Sequence, residues 1–253
     1  MYLTDGSGSS RSGAGTDAVN RRNSAVLLDY DGTLTPPDEL PAVAWVEKLY
    51  DDGHLDDAYW ERFEDALENR GTSGDRELEG ELLSIVTQGL EGEDKGAVYA
   101  STTDFVSEYR DDMLTQSADE LLRELNHRGP EPFVISLSPR ILLGALSDQS
   151  NLVENNIYAN KFGVCRDGRF SGDLSINLFE MGKGPVVQNI ANDRYIRAAA
   201  VDTTSDLPLL RMAEDGYAVA PTDDLRREID ADEDMADVMV VDSIDEVAEE
   251  LTG

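Results

Sequence analysis

Two carboxylates one residue apart, Asp29 and Asp31, stand at the end of the apolar run Ala25-Val26-Leu27-Leu28, and Gly32, Thr33 and the Pro36-Pro37 pair follow them. Acids so paired can act as nucleophile and proton carrier, or hold a cation. A second pair, Asp202 and Asp206, follows the apolar run Ala198-Ala199-Ala200-Val201. Two other residue types with chemistry to offer lie between the pairs. Ser136 closes the run Phe133-Val134-Ile135, and a hydroxyl that faces a helix N-terminus suits phosphate oxygens. Lys183 lies between Gly182 and Gly184 and is one of only four lysines, with Lys48, Lys95 and Lys161, so it reads as a placed charge.

These residues need elements that bring them to one place. Each apolar run is short enough for a buried strand, and each stops at a polar residue and a turn signal. Strands of this kind deliver their last residues to the carboxyl edge of a sheet, where open α/β folds bind ligands. Ser138-Pro139 opens a helix through Ile141, Leu142, Leu143 and Leu146, and Pro185 suits the first turn of a helix over Val186 to Ile190. Pro208 follows Asp206 in the same way. Tyr217 to Ala220 and Val238 to Val241 read as further strands, each followed by a helical pattern. This alternation predicts a parallel sheet flanked by helices. The runs Tyr158 to Val164 and Phe170 to Leu174, around Asp167-Gly168, predict a β-hairpin.

Between the first and second strands the pattern changes. Trp45-Val46, Leu49-Tyr50, Tyr59-Trp60, Phe63 and Leu67 recur at three- and four-residue spacings, as do later apolar residues up to Leu125, with breaks near Gly71 to Gly74 and at Glu91-Gly92-Glu93. The expected organisation is a disordered segment over 1–24, a core of 25–37 and 131–253, and an inserted helical lid over 38–130. Trp45, Trp60 and Tyr99 of the insertion are expected to pack rather than to line a pocket.

Composition narrows the partners. Against 21 Lys and Arg the chain carries 53 Asp and Glu, a formal charge of −32. Such a field repels nucleic acid and anionic membranes, and it would repel a phosphorylated substrate unless a metal and local cations intervene. Acids spread along the whole chain, with so few lysines, point to a high-salt cytoplasm of the halophilic archaeal kind, where screening relieves self-repulsion. Cys165 is the single cysteine, so no intrachain disulfide forms and a reducing interior is expected. No apolar run is long enough to span a membrane, and Arg21-Arg22 lacks the apolar segment of an export signal. The expected location is the cytoplasm.

Taken in order, Asp29-x-Asp31-Gly32-Thr33, Ser136, Lys183 and Asp202-x-x-x-Asp206 resemble the four motifs of the haloacid dehalogenase superfamily, over essentially all of Ala25 to Gly253. Ser136-Leu-Ser138-Pro139, the Asp167 to Gly172 hairpin and Asp202-Thr-Thr-Ser-Asp206-Leu-Pro208 are similar to the phosphoserine-phosphatase-like branch. The resemblance implies an α/β fold with a Rossmann-like parallel sheet and an inserted, mainly helical cap domain. It further implies Mg²⁺ held by the Asp29 carboxylate, the Asp31 backbone carbonyl, Asp202 and Asp206. Ser136, Lys183 and the backbone amides around Gly32 and Thr33 would bind phosphate.

Asp29 would then attack phosphorus to form an aspartyl phosphate, and Asp31 would serve as acid and base in hydrolysing a small phosphorylated metabolite. A phosphotransferase using the same phosphoenzyme, and a non-catalytic phospho-aspartate signalling protein, are the alternative readings. The chain departs from the branch in two places. Val201 replaces the glycine usual before the fourth-motif aspartate. Asp38 matches the carboxylate offered to a substrate amine, yet Glu77 to Asp94 contains no arginine to receive a substrate carboxylate.

Overall fold

The computed structural model describes residues 23–36, 41–68 and 76–252. The expectations for Asp38, for the break at Gly71 to Gly74 and for most of 1–24 lie outside the described residues. At the end of that first segment the reading needs correction. Ser24 is buried and already belongs to strand β1 (Ser24–Leu28), opposite Tyr195, because pairing there extends the ladder one residue upstream of the apolar run.

The other strands are β2 (Glu131–Pro139), β3 (Ile157–Val164), β4 (Phe170–Ile176), β5 (Tyr195–Val201), β6 (Asp215–Val219) and β7 (Met239–Val241). They form one sheet in the order β4-β3-β2-β1-β5-β6-β7, parallel throughout except for β4, which returns antiparallel along β3 as the expected hairpin. The chain winds outward from β1 through β2 and β3, then crosses back to β5. The carboxyl ends of β1 and β5 therefore flank the point where the strand order reverses, the position at which such sheets form a crevice.

β1 is buried along its whole length, and its side chains alternate between the two faces. Val26 and Leu28 join Val134, Ala198 and Ala200 in one apolar core, while Ala25 and Leu27 join Phe133, Ile135, Ala199 and Val201 in the other. A strand apolar on both faces belongs in the middle of a covered parallel sheet.

The inserted region folds as α1 (Pro41–Asp51), α2 (Asp57–Glu68), α3 (Arg76–Gly89), α4 (Lys95–Met113) and α5 (Gln116–Arg128). The remaining helices are α6 (Arg140–Ser147), α7 (Leu178–Met181), α8 (Gly184–Asp193), α9 (Leu207–Leu210), α10 (Asp223–Ala231) and α11 (Ile244–Thr252). α5 packs against β2 and α11, and α4 against α6, so the later part of the insertion contributes to the layer that covers the sheet. Asp94 and Thr115 cap α4 and α5 by accepting from the Ala97 and Ala118 amides.

The loop between α3 and α4 is tied to the tip of the β3–β4 hairpin. The Gly92 amide donates to Phe170 O (3.0 Å), the Phe170 amide to Glu93 O (2.9 Å) and the Lys95 amide to Gly168 O (3.0 Å). Among the described residues, no helix is long and apolar enough to cross a membrane.

Candidate active site

β1 ends where its backbone still pairs with β5, the Asp29 amide donating to Ala200 O at 3.0 Å. That bond fixes Asp29 at the sheet edge, where the residue is 4% exposed. The chain then turns. Gly32 has φ +76°, and a Cβ there would fall on the Asp202 carboxylate, so both the backbone conformation and the close approach demand glycine. The turn is closed by its own groups, with the Gly32 amide donating to Thr35 Oγ1 (2.8 Å) and the Thr33 amide to Tyr30 O (3.3 Å). Tyr30, between the two acids, points away from them, and its hydroxyl donates to Met113 O at 2.7 Å.

Three strand ends and one helix start bring the expected residues together. One carboxylate oxygen from each of Asp29, Asp202 and Asp206 lies within 4.8 Å of the others. Lys183, just before α8, is 3% exposed; its Nζ donates to Asp29 Oδ1 at 2.5 Å and to Asp206 Oδ1. Asp206 also accepts from Thr203 Oγ1 (2.8 Å) and Ser205 Oγ (3.2 Å). The Asp31 carboxylate stands apart from this cluster and accepts from Ser136 Oγ (3.0 Å) and from Ser138 Oγ (2.9 and 3.0 Å).

Burial governs the charges. It pushes the Asp29 carboxyl well above the usual carboxylate range, as does Asp206, against the opposing pull of Lys183. Asp202 is pushed up to about 7, again by burial and then by Asp206. Burial raises Asp31 as well, while the Ser138 and Ser136 hydroxyls hold it down. For Lys183, burial favours the neutral amine, but Asp206 and Asp29 outweigh it and keep the ammonium charged.

Three carboxylates around one ammonium leave surplus negative charge in a buried space, which is costly without a further cation. Asp202 Oδ1 is also buried without a hydrogen-bond partner among the described residues. An unpartnered carboxylate oxygen beside two more hard oxygen donors fits a small divalent cation such as Mg²⁺.

A cavity of about 370 Å³ opens on this cluster, between the sheet edge and α1, α2 and α3. Asp29, Asp31, Gly32, Lys183 and Asp202 line it, whereas Thr33, Ser136 and Asp206 lie behind the lining. Two of the residues expected to bind phosphate, Ser136 and Lys183, are thus engaged with carboxylates here. The amides of Gly32 and Thr33 are engaged in the turn.

Sequence reasoning passed over Ser138, which shares Asp31 with Ser136. The signal was available: residues two apart in a strand face the same way, and β2 continues to Pro139 instead of ending at Ser136. It also missed Ala220, a non-glycine residue at φ +38° lining the cavity at the end of β6, which no local pattern marks. Trp45 packs fully buried and also lines the cavity, its Nε1 donating to Thr102 Oγ1 at 3.0 Å. Trp60 stacks on Tyr50 and Phe63, and the Tyr99 hydroxyl donates to Asp148.

Several solved structures share the fold. A protein of unknown function from Bordetella pertussis Tohama I is 19% identical with TM-score 0.65, the match covering 87% of this chain and 99% of that one. A phosphoserine phosphatase, solved as a phospho-aspartyl intermediate analogue, is 18% identical with TM-score 0.59, covering 91% and 100%. A cytosolic 5′-nucleotidase IIIB bound to cytidine is 13% identical with TM-score 0.61, covering 93% and 87%. Among curated protein sequences, none matches this chain. The family model for haloacid dehalogenase-like hydrolases matches residues 26–211, a span that opens within β1 and closes just after Asp206. Since that span holds both acid pairs, Ser136 and Lys183, the chain belongs to the haloacid dehalogenase-like hydrolases.

Proposed function

We propose that the protein hydrolyses a small phosphate monoester in two steps, with Asp29 as nucleophile and Asp31 as proton carrier. The observation that carries this reading is the meeting of the Asp29, Asp202 and Asp206 carboxylates with Lys183 at the mouth of a cavity that Asp31 also lines.

An Asp29 oxygen attacks phosphorus while the phosphorus–oxygen bond to the leaving alcohol breaks, giving an aspartyl phosphate. Lys183 suits Asp29 to this task, because its charge favours the anionic nucleophile in a site where burial alone would protonate it. Asp31 gives its proton to the leaving alkoxide. Burial favours the protonated form it needs beforehand. Water then attacks phosphorus, Asp31 takes its proton, and phosphate leaves with Asp29 restored as carboxylate.

Ser136 and Ser138 orient Asp31 with neutral donors, which leaves its proton affinity tunable. A bound Mg²⁺, held by the carboxylates of Asp29, Asp202 and Asp206 with the Asp31 backbone carbonyl, would neutralise the phosphate oxygens. Lys183, which lines the cavity beside Asp29, would meet a phosphate oxygen while still held by Asp29 and Asp206, and Ser136 acts through Asp31. Of the insertion over 38–130, α1 to α3 act as the cap over the cavity, while α4 and α5 pack toward the core.

The test is release of p-nitrophenol from p-nitrophenyl phosphate in Mg²⁺ and high KCl. Turnover that is lost in EDTA, regained with Mg²⁺ and absent from Asp29→Asn is expected. A folded protein that releases none, or Asp29→Asn at wild-type rates, overturns the assignment.

A further inference from the structure

The cavity wall that faces away from the carboxylate cluster is apolar. Val46, Phe63, Leu82 and Val86 form it from the helical side and are themselves 2–7% exposed, and Leu137 and Phe179 extend it from the core side. Outside the cluster, the only charged side chains among the described lining residues are the acids Asp31 and Glu79, and Lys183 donates to Asp29 and Asp206. We propose that the leaving group accepted here is a mainly apolar group without a negative charge, an aryl or medium-chain alkyl alcohol esterified to phosphate. This rests on the phosphatase reading and deepens it.

The argument runs through charge and area. A carboxylate or second phosphate on the leaving group would lose its hydration against Val46, Phe63 and Leu82, and would meet carboxylates, with no free cation among the described lining residues to pair with. An alkyl or aryl group loses nothing polar on entry, and each methylene it buries favours the bound state by a factor of about four. At about 370 Å³ the space is at the small end for ligand pockets, which suits a phosphate with one ring or a short chain.

The experiment uses the full chain with Mg²⁺ and compares kcat/KM across ethyl, butyl and hexyl phosphate, then phenyl phosphate against 4-carboxyphenyl phosphate and phosphoserine. The expected result is a rise of about three- to fourfold per methylene until the cavity is full. Phenyl phosphate should exceed both carboxylated esters by tenfold or more. Val43→Arg, which puts a cation on the part of the wall that is already partly exposed, should narrow the gap between phenyl and 4-carboxyphenyl phosphate. Hydrolysis with a flat or falling chain-length series, or with the carboxylated esters preferred, overturns the proposed leaving group and leaves the phosphatase reading standing. No hydrolysis of any ester overturns both.

Discussion

Asp202 combines a carboxyl pushed up to about 7 with an oxygen that has no partner among the described residues, and with the raised Asp29 and Asp31 it contributes to how the metal-free protein responds to pH. A carboxyl with a raised pKa keeps in the folded state a proton that the unfolded chain has lost. Its contribution to stability is full below the ordinary carboxylate range and is lost as pH rises through about 7. In EDTA the melting temperature should therefore fall between about pH 5 and about pH 8, and Mg²⁺ should raise it more at the higher pH. Asp202→Asn should reduce that slope, with Asp29 and Asp31 carrying the rest, and weaken the Mg²⁺-induced rise, which melting curves will show without any assay of activity. Turnover should separate Asp29 from Asp31. Asp29→Asn should abolish it, whereas Asp31→Asn should slow it by about 10²-fold or more in steady-state kinetics, the usual scale of a lost acid–base group.

At the scale of elements, the loop after β1 is positioned by two bonds, one to the end of α4 and one from the cap of α5: Tyr30 hydroxyl to Met113 O (2.7 Å) and Thr115 amide to Leu34 O (3.1 Å). Tyr30→Phe keeps the ring but strands a buried carbonyl. It should cost about 1–3 kcal/mol in denaturant unfolding, where an effect near zero would count against this account.

This bond was invisible in the sequence, and the reason generalises. Ala25 to Leu28, Phe133 to Ile135 and Ala198 to Val201 could be read as central strands because burial on both faces imposes continuous apolar runs. Their polar stops placed Asp29, Ser136 and Asp202 at one edge. What the pattern did not carry was partnership at a distance. Nothing local tells that Lys183 bridges Asp29 and Asp206, or that Tyr30 turns from the acids toward Met113. Likewise α5 has the periodicity of any amphipathic helix, and only the fold sets it against β2 instead of over the cavity.

For the molecule as a whole, a formal charge of −32 makes self-repulsion the term most open to change by solution conditions. Raising KCl from dilute buffer to about 1 M shortens the screening length to ~3 Å, so the melting temperature should rise. A flat response would remove the case for a high-salt setting. The apolar core is continuous from the sheet into the inserted helices: Trp45, Leu49 and Phe63 belong to the same cluster as Val26 and Leu28.

The bonds of Gly92, Glu93 and Lys95 to the hairpin tip give this arrangement a direction. They are made by main-chain groups and so draw on no particular side chain, except that Gly92, at φ +83°, needs to stay glycine for the turn to hold. The bonds therefore restrain the α3 end of the insertion against displacement from the hairpin.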